Sequence, residues 1–548
     1  MSPSTAEPRQ RSLWGWGYAD RFPPAAARRQ VGAMVSAATG IGPLEPQEPA
    51  PEASIALAPP RVAVPAELTD FTSVSRAARL SHTHGRGYRD LVRGFRGDYA
   101  PAPDLVLTPR TEDEVAAALA WASRAGVAVI PWGGGTSVTG GVEARVGPGY
   151  QAVATLDLAA LCEVATPCAV SGTVRIGAGA TGPVIEHALG AHGMTLRHFP
   201  QSFEFSTLGG WVATRAGGHF ATVYTHIDDL VAAVRMVTPA GTFATWPLPG
   251  SGAGPSPDRM VLGSEGILGV ITEATVRVRQ RPDRRASASV RFESFEDGVQ
   301  AARAIARSGL FPSNCRLLDR TEATLNRVPA GGRHVLLLGF EGVGRALGPP
   351  MDEALALARA AGGTCDEGPR FRDDDAAARA RGDGGAARES AAWRAAFLDA
   401  PYLQTILVSL GVLVDTFETA CSWQAFPALD AALHARVGEA LRRVAGGGVL
   451  TRRFTHVYPD GPAPYYTFIA KAPPGGELDA WQAVKDAASE TLGEHGATIT
   501  HHHAVGRTHR PWYDRQRPEL FARALASAKR ELDPAWVLNP GVLIDRPE

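Results

Sequence analysis

Apolar and polar positions along the chain follow two alternating rhythms. From Asp104, "DLVLTP" reads as a short strand, and "RTEDEVAAALAWASRAG" repeats its apolar residues at helical spacing. That helix opens on a capping box, Thr111 to Glu114, and stops at Gly126. "VAVIPW", "AVATLDLAAL", "SGTVRIGAGATG" and "MTLRHF" continue the strand and glycine-turn series to "GILGVITEATVRVRQRP", so one α/β-type unit ends near Pro282. Beyond it, "SASVRFESFEDGVQAARAIARSG" predicts a strand and a helix. "NCRLLDR", "RHVLLLGFEG" and the helix "GPPMDEALALARAAGG" repeat the rhythm. This spacing predicts a second α+β unit around an antiparallel sheet.

Ala25 to Pro65 is rich in Ala and Pro and reads as a linker or a loose wrap. Ahead of it, the aromatics of "LWGWGYADRF" (Leu13 to Phe22) anchor an N-terminal arm on a domain. Asp373 to Glu389 is charged and Gly/Ala-rich, an exposed mobile loop by composition.

Composition narrows the class. A chain of 548 residues, 45% hydrophobic and 20% charged, has the length for two or three domains. A net charge of −1 gives no global attraction to nucleic acid or an anionic membrane. The five cysteines contain no CxxC pair, which argues against structural zinc and a disulfide framework. No long apolar run is present, so a soluble cytoplasmic protein is expected, with peripheral membrane contact through a local patch left open.

Glycine turns carry the first chemistry. "GAGATG" (Gly177 to Gly182) fits G-x-G-x-x-G between a strand and a helix, the pattern of a dinucleotide site. It does not open its series, however, and "MTLRHF" ends in no acidic residue to hold a ribose. "PWGGGTSVTGG" (Pro131 to Gly141) is more informative: three glycines admit close backbone approach, Thr136 and Ser137 add hydroxyls, and successive N–H groups form a nest for a pyrophosphate. "FPQSFEFSTLGGWVATRAGG" and "GSEGILGVIT" repeat that chemistry.

Together these loops resemble the FAD-binding domain of the vanillyl-alcohol oxidase/p-cresol methylhydroxylase flavoproteins. Within that superfamily the chain is most similar to the alkyldihydroxyacetonephosphate synthase family. The supporting segments are "WGWGY", "HTHGRGYRDL", "CRLLD", "DTFETACSW", "THVYPDGPAPYYTF", "HHHAVG" and "LDPAWVLNPGVL". The resemblance implies an α+β fold, with a two-subdomain FAD-binding domain and a substrate-capping domain on an antiparallel sheet. It divides the chain into an arm and linker (1–65), the FAD domain (66–282), the cap (283–515) and a tail (516–548) packing back on the FAD domain.

The resemblance also implies non-covalent FAD. By matching position, the contacts would come from Pro131, Trp132, Gly133, Gly134, Gly135, Thr136 and Ser137, and from Phe199, Pro200, Gln201, Ser202, Phe203, Glu204 and Phe205. Val212, Ala213, Thr214, Arg215, Glu265, Gly266, Ile267, Leu268, Gly269, Val270 and Ile271 complete the set. The implied activity exchanges the acyl chain of acyl-dihydroxyacetone phosphate for a fatty alcohol through a flavin N5 adduct, in ether-lipid synthesis. Tyr465 matches the family's catalytic tyrosine, with Tyr466 beside it leaving the register open. Arg316 matches an arginine near the flavin, and His501, His502 and His503 would surround the reacting centre as proton carriers. A lipid or small-molecule substrate is implied, and family analogy suggests a homodimer.

One position departs from the family. Its Y-[I/L]-R-D segment carries a phosphate-binding arginine, and here "PYLQT" places Gln404 there. An amide lacks the charge-assisted bidentate bond of a guanidinium. Arg452 or Arg507 could supply the missing charge. Otherwise the substrate differs, and the alternative is an FAD-linked oxidase or dehydrogenase of a 2-hydroxy acid or other alcohol. "HVYPDGPAPYY" lacks the H-x-x-G-D-G-N-x-H pattern of such dehydrogenases.

The triplet in "TITHHHAVGRTH" is internal, unlike a purification tag. "ATIT" before it predicts a strand, which would put His501 and His503 on one face and His502 on the other. With no acidic residue between Gly496 and Arg510 to complete a ligand set, no metal is assigned.

Overall fold

The computed structural model describes residues 9–220, 222–373 and 400–546. Two small sheets build the first part of the chain. Strands β1 (Thr72–Ser73), β2 (Leu105–Leu107), β3 (Val127–Trp132) and β4 (Ala152–Asp157) lie in the order β1-β2-β4-β3. The β2, β4 and β3 strands are parallel, as the intervening helix Glu112–Ala125 requires. Thr111 caps that helix by accepting from Glu114 N, and Gly126 ends it in the left-handed region. Only half of the expected capping box forms, because the Glu114 carboxylate reaches Arg110 N, at 2.6 Å.

The second sheet is antiparallel, with β5 (Thr173–Gly177), β7 (Val231–Thr238), β8 (Gly241–Ala244) and β9 (Val270–Arg277) in the order β5-β9-β7-β8. "MTLRHF" contributes only β6 (Met194–Thr195), paired with β10 (Arg279–Gln280). One hydrophobic core joins both sheets and takes in Trp536 to Leu538 and Val542 to Ile544 from the far C-terminus.

The cap is a seven-stranded antiparallel sheet. Its strands are β11 (Arg284–Phe292), β12 (Asn314–Leu318), β13 (His334–Gly342), β14 (Arg370–Asp373), β15 (Val412–Glu418), β16 (Val449–Val457) and β17 (Pro462–Lys471). Their order is β14-β11-β13-β12-β16-β17-β15. Helices Phe295–Arg307, Gly348–Ala360, Phe426–Ala445 and Glu477–Glu494 bury its outer side. Helix Arg320–Leu325 covers part of the inner side through Leu318, Ala323, Val335 and Leu337.

The N-terminal stretch is more ordered than its composition predicts. Within the expected linker, Ala25–Thr39 is a helix that buries Arg28, Gly32 and Val35, with Gly32 against Leu410. Alanines supply its helix propensity, and tertiary contact stabilises it. Trp14 packs edge-on against Phe22 and Phe95, anchoring the arm. The helix Tyr88–Phe95 packs into the core of the cap's β15–β17 side rather than the core beneath the first two sheets. The loop expected over Asp373 to Glu389 lies, beyond Asp373, outside the described residues.

Candidate active site

Between the two small sheets lies a cleft with about 660 Å³ of empty space, open solvent included. Pro131, Trp132, Gly133 and Ser137 line it from one glycine loop, Ala213, Thr214, Glu265, Gly266, Gly269 and Ile271 from two others. Close backbone packing explains the glycines. A Cβ on Gly134 would stand 1.9 Å from Phe205 O, and one on Gly133 would stand 2.2 Å from Thr207 Oγ1. The glycine loops therefore nest against one another and leave a cradle.

Not every expected contact lines this cradle. Phe199, Pro200, Gln201, Ser202, Phe203, Glu204 and Phe205 are not among its lining residues, nor are Gly134, Gly135, Thr136, Val212, Arg215, Ile267, Leu268 and Val270. Phe205 packs under Arg11 and Tyr18, Glu204 accepts from Tyr402 Oη, and Arg215 pairs with Asp228. Thr207, Gly209, Gly210, Ala504 and Asn539 line the cleft and had not been singled out one by one, although the quoted motifs contain them. The cradle also offers polar groups. Asn539 donates to Gly141 O (3.0 Å) and Glu265 O (2.7 Å), while its buried Oδ1 has no partner among the described residues. A dinucleotide with donor groups suits such a lining.

"GAGATG" plays another part. Its strand β5 is antiparallel to β9, and Cβ atoms on Gly177 and Gly179 would strike Leu161 O and Leu158 O at 2.2 and 2.0 Å. These glycines admit the chain's own backbone, so no Rossmann site forms.

On the cap, register creates a polar line. Leu318 of β12 pairs with Arg453 of β16, Arg453 with Tyr465 of β17, and Tyr465 with Glu418 of β15. Cross-strand partners share a face, and so do residues two apart. Arg316, Thr451, Thr467 and Thr416 therefore join that face. Tyr466 points to the other side, stacking on Phe417 and donating to Asp430 at 2.9 Å. The tyrosine register is thereby resolved: Tyr465 faces inward, with the Arg453 guanidinium 3.9 Å over its ring.

Glu418 organises the histidines. The triplet is not a strand but an irregular segment wrapped around this one buried carboxylate. His501 N (2.6 Å), His502 N (3.2 Å), His503 N (3.0 Å) and Thr500 Oγ1 (2.5 Å) all donate to it. The expected alternation fails because three consecutive N–H groups turn toward one acceptor. His502 and His503 flank the Tyr465 ring at centroid distances of 6.0 and 5.5 Å, while His501 turns to Tyr458, His226 and His456. The pairing is therefore His502 with His503, not His501 with His503. Ala504 lines the cleft directly after the triplet, and Val505 N and Gly506 N donate to Glu265, each at 2.8 Å. Cap chemistry and cleft thus meet.

Burial sets the proton affinities. It pushes His501 and His456 well below the ordinary imidazole range, His502 to about 3 and His503 to about 4, with neighbouring imidazoles adding to the effect on His501 and His456. These rings are neutral at pH 7 and can accept protons. Burial alone would raise Glu418, but His502, His503, His501 and the Thr500 hydroxyl reverse that and hold it well below the usual range. Burial, then Arg453, lowers Arg316 to about 9, and burial raises Tyr465.

Other expected groups lie differently. Gln404 sits in the helical stretch 400–409 and donates to Val414 O at 3.2 Å. Arg452 faces outward, paired with Asp430 and stacked on Phe295, and Arg507 donates to the carbonyls of Gly140, Arg145 and Pro540. Arg316 and Arg453 lie on the inner face, Arg453 ion-paired with Glu322. Tyr465 Oη bonds Thr416 Oγ1 at 3.0 Å, whereas Tyr458 Oη reaches His501 Nε2 at 2.7 Å. His456, His226, Tyr458 and Glu418 are the residues that sequence reasoning missed. "DTFETACSW" contains Glu418 and "THVYPDGPAPYYTF" contains His456 and Tyr458, but spacing does not show that they meet, because they come from separate strands and loops. His456, His501 and His502 each bring one nitrogen within 4.8 Å of the others, a group of zinc-binding type. Both nitrogens of His456 and of His501 are already engaged in hydrogen bonds, which favours a hydrogen-bonded cluster.

A two-sheet cradle joined to an antiparallel cap, with proton-accepting groups at the junction, defines an FAD-linked flavoenzyme. Residues 103–246 match the family described as FAD binding domain, and 281–543 match FAD linked oxidases, C-terminal domain. The fold is shared with a solved alkyldihydroxyacetonephosphate synthase (TM-score 0.78, 23% identity, 97% of each chain covered). It is also shared with p-cresol methylhydroxylase (TM-score 0.65, 14% identity, 87% of this chain and 94% of that one). The alkyldihydroxyacetonephosphate synthase of Caenorhabditis elegans is 30% identical over 491 residues, 85% of this chain and 80% of that protein. The chain belongs to the alkyldihydroxyacetonephosphate synthase family and is an FAD-dependent enzyme of that kind.

Proposed function

We propose that the enzyme exchanges the acyl chain of an acyl-dihydroxyacetone phosphate for a fatty alcohol, without net oxidation. The observation that carries this reading is the inner face of the cap, where Arg316, Arg453 and Tyr465 share one side through strand register, His502 and His503 pack on the Tyr465 ring, and Ala504 after them lines the cleft. Such an exchange needs a base for the proton beside a ketone, a cation for an anionic substrate and a dry site. His502 and His503, neutral and packed on Tyr465, hold the lone pairs placed to take that proton, although burial weakens them as bases. Arg316, donating to His219 O at 2.8 Å, supplies positive charge, while Arg453 is held over the Tyr465 ring by its ion pair with Glu322. Burial of Tyr465 and Glu418 excludes water and strengthens each of these interactions. The glycine loops and Asn539 would hold FAD, whose ring would supply the electron-accepting chemistry of the exchange.

A second reading is oxidation of a 2-hydroxy acid or another alcohol. Gln404 favours it, since its amide is spent on Val414 O where the family places a phosphate-binding cation. One experiment separates the two. The purified flavoprotein is given acyl-dihydroxyacetone phosphate and labelled fatty alcohol. Label transfer with an unbleached flavin supports the exchange; bleaching by a hydroxy acid without label transfer overturns it.

A further inference from the structure

We propose that His226 is a positioning residue that fixes the tautomer of His502 through His501, leaving His502 Nε2 as the basic nitrogen. The assignment follows from donor and acceptor roles along one chain of contacts. His226 Nδ1 lies 2.8 Å from Arg215 O. A carbonyl oxygen only accepts, so a neutral His226 carries its proton on Nδ1 and its lone pair on Nε2.

That lone pair faces His501 Nε2 at 3.2 Å. Two lone pairs at this distance would repel, so His501 Nε2 is the N–H, shared with the Tyr458 oxygen at 2.7 Å. Tyr458 can then donate to Thr225 Oγ1, 3.1 Å away. With its proton on Nε2, His501 keeps a lone pair on Nδ1, and His502 Nδ1, 3.0 Å from it, is the donor. A Glu418 carboxylate oxygen 3.5 Å from the same His502 nitrogen draws the proton to that side as well. Only His502 Nε2 is then left with a lone pair, and it makes no hydrogen bond among the described residues. Reversing the assignment at His502 would break the chain at His501 or set lone pair against lone pair at His226.

The arrangement parallels the way an acceptor behind a catalytic imidazole fixes its tautomer, with imidazoles between. His226 comes from the loop before β7 in the FAD part and His501 from the cap segment, so the tautomer is correct only when both are seated. The same chain can move a proton. One taken up at His502 Nε2 releases Nδ1–H to His501 Nδ1, whose Nε2–H passes to His226. The charge then rests on the half-exposed His226 ring, which has gained one proton, while His502 and His501 have each gained one and lost one.

The catalytic part of this inference rests on the proposed function; the tautomer does not. It is tested with neutron diffraction on the perdeuterated FAD-loaded enzyme and with three His226 variants. Deuterium on His502 Nδ1 and His501 Nε2 is expected; deuterium on His502 Nε2 alone, or a stoichiometric bound metal among these rings, overturns the proposal whatever the activity. H226Q keeps an acceptor and should hold kcat within about threefold, whereas H226L, lacking one, should lose about 10- to 100-fold in kcat with little change in KM. H226K, which donates, should fall at least as far as H226L. All three should keep FAD stoichiometry and melting temperature, a pattern that a purely structural residue would not give. Equal losses in H226Q and H226L, or none in H226L, overturn it. If the wild type transfers no label, the proposed function fails while the neutron result still decides the tautomer.

Discussion

Replacing Glu418 by glutamine should cost more than any other single exchange at the cap. In the native site Oε1 accepts from Thr500 Oγ1, His502 N and His503 N, and Oε2 accepts from His501 N. The better of the two amide orientations places the oxygen at Oε1 and the NH2 at Oε2. Three bonds then lose the charge that strengthens them, about 1 kcal/mol each. The amide NH2 meets the His501 N–H at the native 2.6 Å separation, donor against donor. A buried N–H left without an acceptor costs roughly 1–3 kcal/mol more. Because neighbouring bonds are not additive, about 4 kcal/mol is expected in total. For a unit the size of the cap this lowers the melting temperature by roughly 8–16 °C. Since the acceptor sets the path of His501 to His503, label-transfer activity should fall together with stability. The measurement is thermal unfolding followed by near-UV circular dichroism on FAD-loaded E418Q, beside E490Q. Glu490 pairs with Arg515 at an exposed site, so E490Q should melt with the parent. If E418Q melted within about 2 °C of the parent, the carboxylate would not hold the triplet and the reasoning would be refuted.

Other consequences are checked more simply. Q404R should lower KM for a phosphorylated substrate about tenfold, the worth of one charge-assisted bond, and leave a non-phosphorylated alcohol unaffected. G134A should lose FAD, as seen by absorbance after gel filtration, because its Cβ would meet the rigid Phe205 carbonyl at 1.9 Å. Burial raises Glu265 from 4.5 to about 7, so its contribution to stability is complete below about pH 4.5 and is lost as pH rises through about 7. Melting curves at pH 5 and pH 8 should therefore differ less for E265Q than for the parent, by about 3 kcal/mol at most. Y465F should reduce kcat while retaining FAD, since the ring still packs between Arg453 and the histidines; an unchanged kcat would remove Tyr465 from the chemistry.

Several features were legible in the chain because they follow from local rules. The helix Glu112–Ala125 carries its own cap and stop, β3 is a short apolar run between glycine turns, and most of β9 alternates apolar and polar residues. The glycine loops announced close backbone approach, and the approach was real, though at Gly134 the partner is Phe205. Local rules also misled. "ATIT" has strand propensity, yet the segment is irregular, because a carboxylate from β15 offered its N–H groups a better set of partners than a neighbouring strand. In Ala25–Thr39 the Pro-rich surroundings concealed a helix that is fixed by packing on Leu410.

By itself the sequence determined which chemistry is present: glycine turns that can cradle a pyrophosphate, imidazoles in a row, a tyrosine pair, an arginine among apolar residues and a glutamine in an arginine's place. Those are properties of residue type and short spacing, and no folding is needed to read them. Which groups meet was decided only by tertiary structure. Strand register chose Tyr465 over Tyr466 and lined it up with Arg453 and Glu418, since a shift of one residue turns every side chain to the opposite face. Closure of the cap onto the FAD part brought His226 within 3.2 Å of His501, across 275 residues of chain. Such a distance is fixed by the packing of two units and has no trace in the spacing of either.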